Sequence, residues 1–88
     1  MWSQAQARAV GQRVAAARKA AGLTQSTLVR NLKAAGVSAS QTTLSHLERG
    51  MASEATYTSL QLLATIAAVT GVDVDWLISG AGTMSTML

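Results

Sequence analysis

The apolar residues in the first quarter of the chain recur every three or four positions, which is the spacing of one helix face. This stripe begins at Ala7 and ends at Ala21, and a glycine follows it where a helix would stop. Ser3 stands ahead of the stripe with Gln6 three residues later, a pattern typical of a capping box at a helix start. The pattern therefore predicts a first helix over residues 4–21.

Two shorter amphipathic segments come next. Thr24 is a good N-cap for a helix over Gln25–Ala34, which carries three large apolar residues on one face. Ser40 is the next N-cap candidate, and the segment behind it continues to Gly50. Its only large apolar side chains are two leucines three positions apart, so a narrow stripe must anchor this third helix while the rest of its surface stays polar.

The second half of the chain predicts two more helices. Residues 51–56 are expected to form a loop, and the apolar spacing over residues 57–69 favours a fourth helix. Asp73 can cap a short fifth helix that contains Trp76 and Leu77, and Gly80 follows it. With no strand-period segment and no repeat, the expectation is one compact all-α domain of five helices over residues 1–80. Residues 81–88 are expected to be a tail, either flexible or part of a dimer contact.

Composition narrows the range of functions for a chain of 88 residues. The sequence contains no Cys, one His and four acidic residues. Without Cys there is neither a disulfide framework nor a thiolate metal site. The few remaining titratable groups do not form a nucleophile–base set. We therefore expect no catalytic residue, no metal and no cofactor.

Charge is distributed unevenly along the chain. Six of the seven Lys and Arg residues precede Glu48, and all four acidic residues lie at or after that position, for a net charge of +3. This asymmetry is typical of a protein with an anionic partner, either nucleic acid or a membrane surface. The longest uncharged run, residues 55–72, is interrupted by Thr, Ser and Gln, and the N-terminus lacks an apolar signal region. We therefore expect a cytoplasmic protein that does not bind membranes.

Four pieces of the chain form a recognisable series in this order: RKAAGLTQ (18–25), TLSHLERG (43–50), IAAVTGV (66–72) and DVDWLISG (73–80). Together they resemble the lambda-repressor-like (Cro/C1-type, XRE) helix-turn-helix domains, and the last piece is similar to phage repressor DNA-binding domains. The resemblance covers residues 10–80. It departs from the family between Leu32 and the third helix, where this chain has several more residues. It departs again after Gly50, where the family loop is often basic and contains proline.

This resemblance implies a helix-turn-helix formed by helices 2 and 3, with the third helix in the DNA major groove. The base-contacting residues that it implies are Gln41, Thr42, Ser45 and His46. Their chemistry independently permits that role, because an amide can pair with adenine and a Thr methyl group can contact thymine. The alternative is an ordinary solvated helix face.

Contacts with the DNA backbone are implied for helix starts and for one cation. These residues are Thr24, Gln25, Ser40 and Arg49. The resemblance also implies that Gln25 braces Gln41. The cations Arg13, Arg30 and Lys33 are weaker candidates for phosphate contacts. Tyr57 is either a phosphate contact or an exposed tyrosine at a helix end.

The resemblance also implies a structural ion pair between Arg18 and Glu48. In the family, an arginine on helix 1 binds the glutamate that ends the recognition helix and thereby orients that helix. A bidentate bond between guanidinium and carboxylate suits this role.

The expected function is therefore sequence-specific binding of double-stranded DNA by a transcriptional regulator of the repressor type, acting on the nucleoid. We expect a homodimer on a palindromic operator, since one such domain contacts few base pairs. If these 88 residues are the whole protein, they leave no room for the C-terminal domain of a self-cleaving repressor, and the helical domain itself must dimerise. The expected self-association surface is the apolar C-terminal end: Val74, Ile78, Met84, Met87 and Leu88. A small-molecule ligand is not expected. The alternative is a protein-interaction module, an antitoxin or adaptor with secondary DNA binding.

Overall fold

A computed structural model of the chain describes residues 3–84, and this part of the chain is all-α. It contains one helix more than the sequence pattern predicts. The six helices are α1 (Gln4–Ala20), α2 (Gln25–Ala34), α3 (Gln41–Glu48), α4 (Glu54–Tyr57), α5 (Leu60–Thr70) and α6 (Val74–Ser79).

Small oxygen-bearing side chains begin every one of these helices. At α1 the predicted capping box is confirmed: Gln6 N–H donates to Ser3 Oγ at 3.1 Å, and Ser3 N–H donates to Gln6 Oε1 at 2.8 Å. Thr24 and Ser40 cap α2 and α3 as predicted. Each cap satisfies a backbone N–H that the helix itself cannot pair.

The region between α3 and α5 differs from the prediction. Residues 51–56 are not entirely a loop, because Ser53 caps the one-turn helix α4. The helix predicted over residues 57–69 is therefore divided: Tyr57 ends α4, and Ser59 caps α5, which ends at Thr70. The apolar spacing continues across this break, so periodicity alone does not reveal two caps six residues apart.

The core lies where α1 packs against α3 and α5, with α2 packed between α3 and α5 and α6 packed on α1 and α5. Most of the core side chains are aliphatic. The largest side chain in the core is the aromatic one of Tyr57. The largest fully buried side chains are Val10, Val14, Leu28, Leu32, Leu44, Leu47, Tyr57, Leu63, Ile66 and Leu77. They come from all six helices, so the whole described region forms one core.

Two glycines allow α1 and the end of α3 to approach closely. An ideal Cβ at Gly11 would lie 2.9 Å from the carbonyl oxygen of Glu48 and closer still to that of Leu47. Gly50 has φ +76°, and a Cβ there would lie 2.7 Å from Arg8 Cγ. Side chains at these positions would push the two helices apart, so both glycines fix where α3 ends against α1.

After α6 the chain turns back toward the start of that helix. Asp73 N–H donates to the carbonyl oxygen of Met84 at 3.0 Å, and the Met84 side chain packs against the core. Three residues of the predicted self-association surface, Val74, Ile78 and Met84, are partly buried against the core of the same chain. The other two, Met87 and Leu88, lie outside the described residues.

Across residues 3–84, no helix is both long enough and apolar enough to cross a bilayer.

Candidate nucleic-acid interface

The exposed surface of α3 is polar and carries no formal charge before Arg49. Leu44 and Leu47 are fully buried and fix the helix to the body. The opposite side presents an amide, two hydroxyls and an imidazole. Gln41, Thr42 and His46 are exposed and Ser45 is half-buried.

These four side chains line a shallow notch between α3 and the start of α2. The notch has a volume of about 260 Å³, and its fifth lining residue is Gln25. The structure therefore brings together the four predicted base-contacting residues and one of the predicted backbone-contacting residues. All five side chains are hydrogen-bonding groups that can face the edge of a base.

The hydroxyls of Thr24 and Ser40 are occupied by capping. Ser40 Oγ accepts the Thr43 N–H at 3.0 Å, and Thr24 Oγ1 accepts the Thr27 N–H at 3.1 Å. Because these oxygens are used, the groups at the two helix starts that remain for a phosphate are the backbone N–H groups of the first turn.

An ion pair joins α1 to the end of α3. Arg18 Nε donates to Glu48 Oε2 at 2.7 Å, and Arg18 Nη2 donates to Glu48 Oε1 at 3.0 Å, with both side chains largely buried. The hydrogen bond to Glu48 raises the pKa of Arg18, against the opposing effect of burial. Arg18 Nη1 also donates to the carbonyl oxygen of Leu23, just before α2. One guanidinium thus links α1, the start of α2 and the end of α3.

Gln25 contacts Glu48 and not Gln41. Its Nε2 donates to Glu48 Oε1 at 3.1 Å, which adds α2 to the same network. The bracing contact between Gln25 and Gln41 that the resemblance implies is therefore absent. Glu48 offers a carboxylate, which is a stronger acceptor than the neutral amide of Gln41.

Tyr57 is neither an exposed tyrosine nor a phosphate contact. It is 2% exposed, and its hydroxyl donates to the carbonyl oxygen of Leu47 at 2.9 Å while accepting the Ala52 N–H at 3.3 Å. Burial raises the pKa of this phenol. Tyr57 is therefore a second contact, besides the ion pair, that holds the C-terminal end of α3.

Arg13 is bound within the protein and does not project toward a phosphate. Its Nε donates to the carbonyl oxygen of Leu77 and its Nη2 to that of Ile78, both at 2.9 Å. Burial lowers the pKa of Arg13. The other two weaker candidates, Arg30 and Lys33, remain exposed.

Arg8 is a cation beside the interface that the sequence does not single out. It is exposed, and its side chain packs against Gly50, next to Arg49. The signal that could have found it is the three-residue spacing from Gly11, which places both on the helix face that α3 crosses. The C-terminal end of α3 thus has two exposed arginines near it, whereas the notch itself is neutral.

Among the described residues, no three His, Asp or Glu side chains come together as metal ligands. A groove of about 430 Å³ lies between residues 36–40 and the start of α5, but its lining consists of hydroxyl, amide, aliphatic and backbone groups without a charge.

Comparison of the whole chain with protein-family models, with curated proteins and with solved structures gives no match.

Proposed function

We propose that this chain binds double-stranded DNA at specific sequences and regulates transcription as a repressor, with α2 and α3 as a lambda-repressor-like helix-turn-helix. The observation that carries the proposal is the uncharged polar notch of Gln25, Gln41, Thr42, Ser45 and His46 on an exposed helix. Ser and Thr are mediocre helix formers, so their presence on this face needs a reason other than helix stability.

Base contacts are assigned to the exposed side of α3. Gln41 lies in its first turn, where its amide pairs with the N6 and N7 groups of adenine. Thr42 offers a hydroxyl to a base or phosphate and a methyl group to thymine. Ser45 and His46, one turn on, continue the same surface.

Backbone contacts are assigned to the ends of the two helices. The first turns of α2 and α3, at Thr24, Gln25 and Ser40, supply N–H groups to phosphates. Arg49 supplies a positive charge at the other end of α3, and it is exposed. These contacts fix the register of α3 along the groove but carry no sequence information.

A homodimer on a palindromic operator completes the proposal. One α3 spans few base pairs, and two copies related by a twofold axis double the contacted sequence. Such a regulator acts in the cytoplasm, where the nucleoid is found.

Selection from random duplexes followed by sequencing tests the proposal. We expect one enriched sequence with two inverted half-sites, and light scattering of the complex should give two subunits per site. Recovery of no enriched sequence at low salt contradicts DNA recognition, and one subunit on the shortest protected site contradicts the dimer.

A protein-interaction module, such as an antitoxin or adaptor, is the second candidate. Two exposed large apolar side chains favour it: Met51 is 64% exposed and Leu60 is 63% exposed. A partner that co-purifies stoichiometrically, together with no enriched duplex, would replace the regulator with this function.

A further inference from the structure

The carboxylate of Glu48 accepts hydrogen bonds from two other helices. Arg18 on α1 uses both carboxylate oxygens, and Gln25 on α2 donates from Nε2 to Oε1 at 3.1 Å. Glu48 is 7% exposed, so solvent has little access to exchange these partners. The three side chains form one connected network behind the notch.

This network fixes which end of the Gln25 amide faces away from Glu48. A carboxylate bound on both oxygens by a guanidinium is an acceptor only, and an amide can satisfy it only through its NH2 group. The carbonyl oxygen of Gln25 is therefore the end of the amide that points away from Glu48, beside the one amide N–H that Glu48 does not use, and Gln25 is one of the five residues lining the notch. The amide cannot turn over without placing oxygen against oxygen.

We propose that Glu48 orients Gln25 so that its Oε1 forms a hydrogen-bond acceptor in the notch, and that this acceptor selects bases with an amino group and rejects guanine. The inference rests on the proposed function and adds a specificity-determining residue to it.

The major-groove edges of the bases explain the selectivity. Adenine and cytosine present amino groups there, N6 and N4, which can donate to the oxygen of Gln25. Guanine presents O6 and N7 and thymine presents O4, all acceptors, which that oxygen repels. Among the residues that line the notch there is also no Lys or Arg, the usual partners of guanine.

The experiment measures dissociation constants for the operator that selection enriches, with each of the four bases placed in turn at every position of a half-site. The wild-type chain should bind adenine or cytosine about tenfold more tightly than guanine at one or more positions. Gln25→Leu removes the acceptor without touching the ion pair, and the preference at that position should fall to less than threefold. Gln12→Leu, on the exposed side of α1, is the matched control and should keep the wild-type preference.

A second pair of variants separates orientation from stability. Glu48→Gln replaces the carboxylate with an amide that can present either end, so Gln25 is free to turn and the preference against guanine should be lost. Arg18→Gln breaks the same ion pair but keeps the carboxylate that orients Gln25, so the preference should persist. A role in stability alone would make these two variants equal in base preference.

The outcomes separate the inference from the function on which it rests. If selection enriches an operator and Gln25→Leu leaves its base preferences unchanged, the proposed role of Gln25 is wrong. The same follows if the operator carries guanine at the positions where adenine or cytosine is expected. Both outcomes leave DNA binding itself intact. Recovery of no operator overturns both. If Arg18→Gln does not fold, the comparison of base preference between Gln25→Leu and Gln12→Leu still tests the role of Gln25.

Discussion

Among single residues, Tyr57 brings a hydroxyl into an otherwise aliphatic core. The ring is buried, and the hydroxyl bonds the carbonyl oxygen of Leu47 and the N–H of Ala52, on either side of the glycine that ends α3. Buried polar groups are stabilising only when they are paired, and this one pairs with two backbone groups. Tyr57 thereby ties the last turn of α3 to the loop that follows it.

Tyr57→Phe should test this contact. The ring still fills its site, but the Ala52 N–H loses its acceptor and Leu47 loses a donor, so the free energy of unfolding should fall by about 1–2 kcal/mol. Urea denaturation followed by circular dichroism measures it. A variant as stable as the wild type would show that these hydrogen bonds contribute nothing.

The same residue should make stability depend on alkaline pH. Because burial raises the pKa of Tyr57, the folded state favours the neutral phenol. This contribution is complete below the ordinary tyrosine value of about 10 and is lost as pH rises through the higher folded value. The stability difference between wild type and Tyr57→Phe should therefore shrink above about pH 10. A difference that stays constant from pH 8 to pH 11 would contradict this.

At the scale of elements, the crossing of α1 and α3 depends on Gly11. No other residue fits there, because the carbonyl oxygens of Leu47 and Glu48 occupy the space of a Cβ. In a helix otherwise rich in alanine, a glycine costs about 1 kcal/mol relative to alanine, so a packing requirement explains its presence.

Gly11→Ala should therefore destabilise the domain although alanine is the better helix former. The clash is with backbone, which cannot move aside as a side chain can, so we expect a loss of about 1–3 kcal/mol. Gln12→Ala, one residue along on the exposed side, is the control and should be neutral or slightly stabilising. A gain in stability for Gly11→Ala, measured by thermal unfolding, would contradict the close crossing.

Sequence predicts the elements well wherever a cap and a periodic stripe agree. α2 has the predicted bounds and α3 the predicted start, because Thr24 and Ser40 each precede a leucine pair. Between α3 and α5 the two signals conflict: Ser53 and Ser59 are both caps, yet the apolar spacing runs on past them. Local hydrogen bonding decides the outcome, and periodicity does not contain that information.

The candidate site is predictable to the extent that it is local. Gln41 and Ser45 share a helix, so their common face follows from spacing alone. The bond between Gln25 and Glu48 and those from Arg13 to α6 join residues 23 to 65 positions apart. No local pattern encodes such contacts. Whether a charged side chain is exposed to solvent or bound inside the protein therefore cannot be predicted from the sequence alone.

In the whole molecule, the Lys and Arg side chains fall into two sets, those bound within the protein and those exposed to solvent. Arg18 is neutralised by Glu48, and Arg13 is bound to backbone carbonyls. The five remaining cations are exposed: Arg8, Lys19, Arg30, Lys33 and Arg49. Direct contacts with DNA phosphates must come from this second set, because the guanidinium groups of Arg13 and Arg18 are already bound within the protein.

Arg49→Gln should weaken DNA binding without changing which sequence is bound. Loss of one phosphate contact should reduce the slope of log affinity against log salt by about 1. Arg49→Lys keeps the charge and should keep the slope. Titrations of the selected operator across a range of salt concentrations measure both. A changed operator preference for Arg49→Gln would instead assign this residue to a base.

The measurement that bears most closely on base contact repeats the selection from random duplexes with Gln41→Ala, alongside Gln12→Ala, an exposed glutamine that does not line the notch. We expect Gln41→Ala to lose its preference at about one or two base positions in each half-site, while its fold and weak non-specific binding persist. Gln12→Ala should select the wild-type operator. If Gln41→Ala also selects the wild-type operator unchanged, then the exposed side of α3 does not contact the bases and the proposed DNA recognition by this helix is wrong.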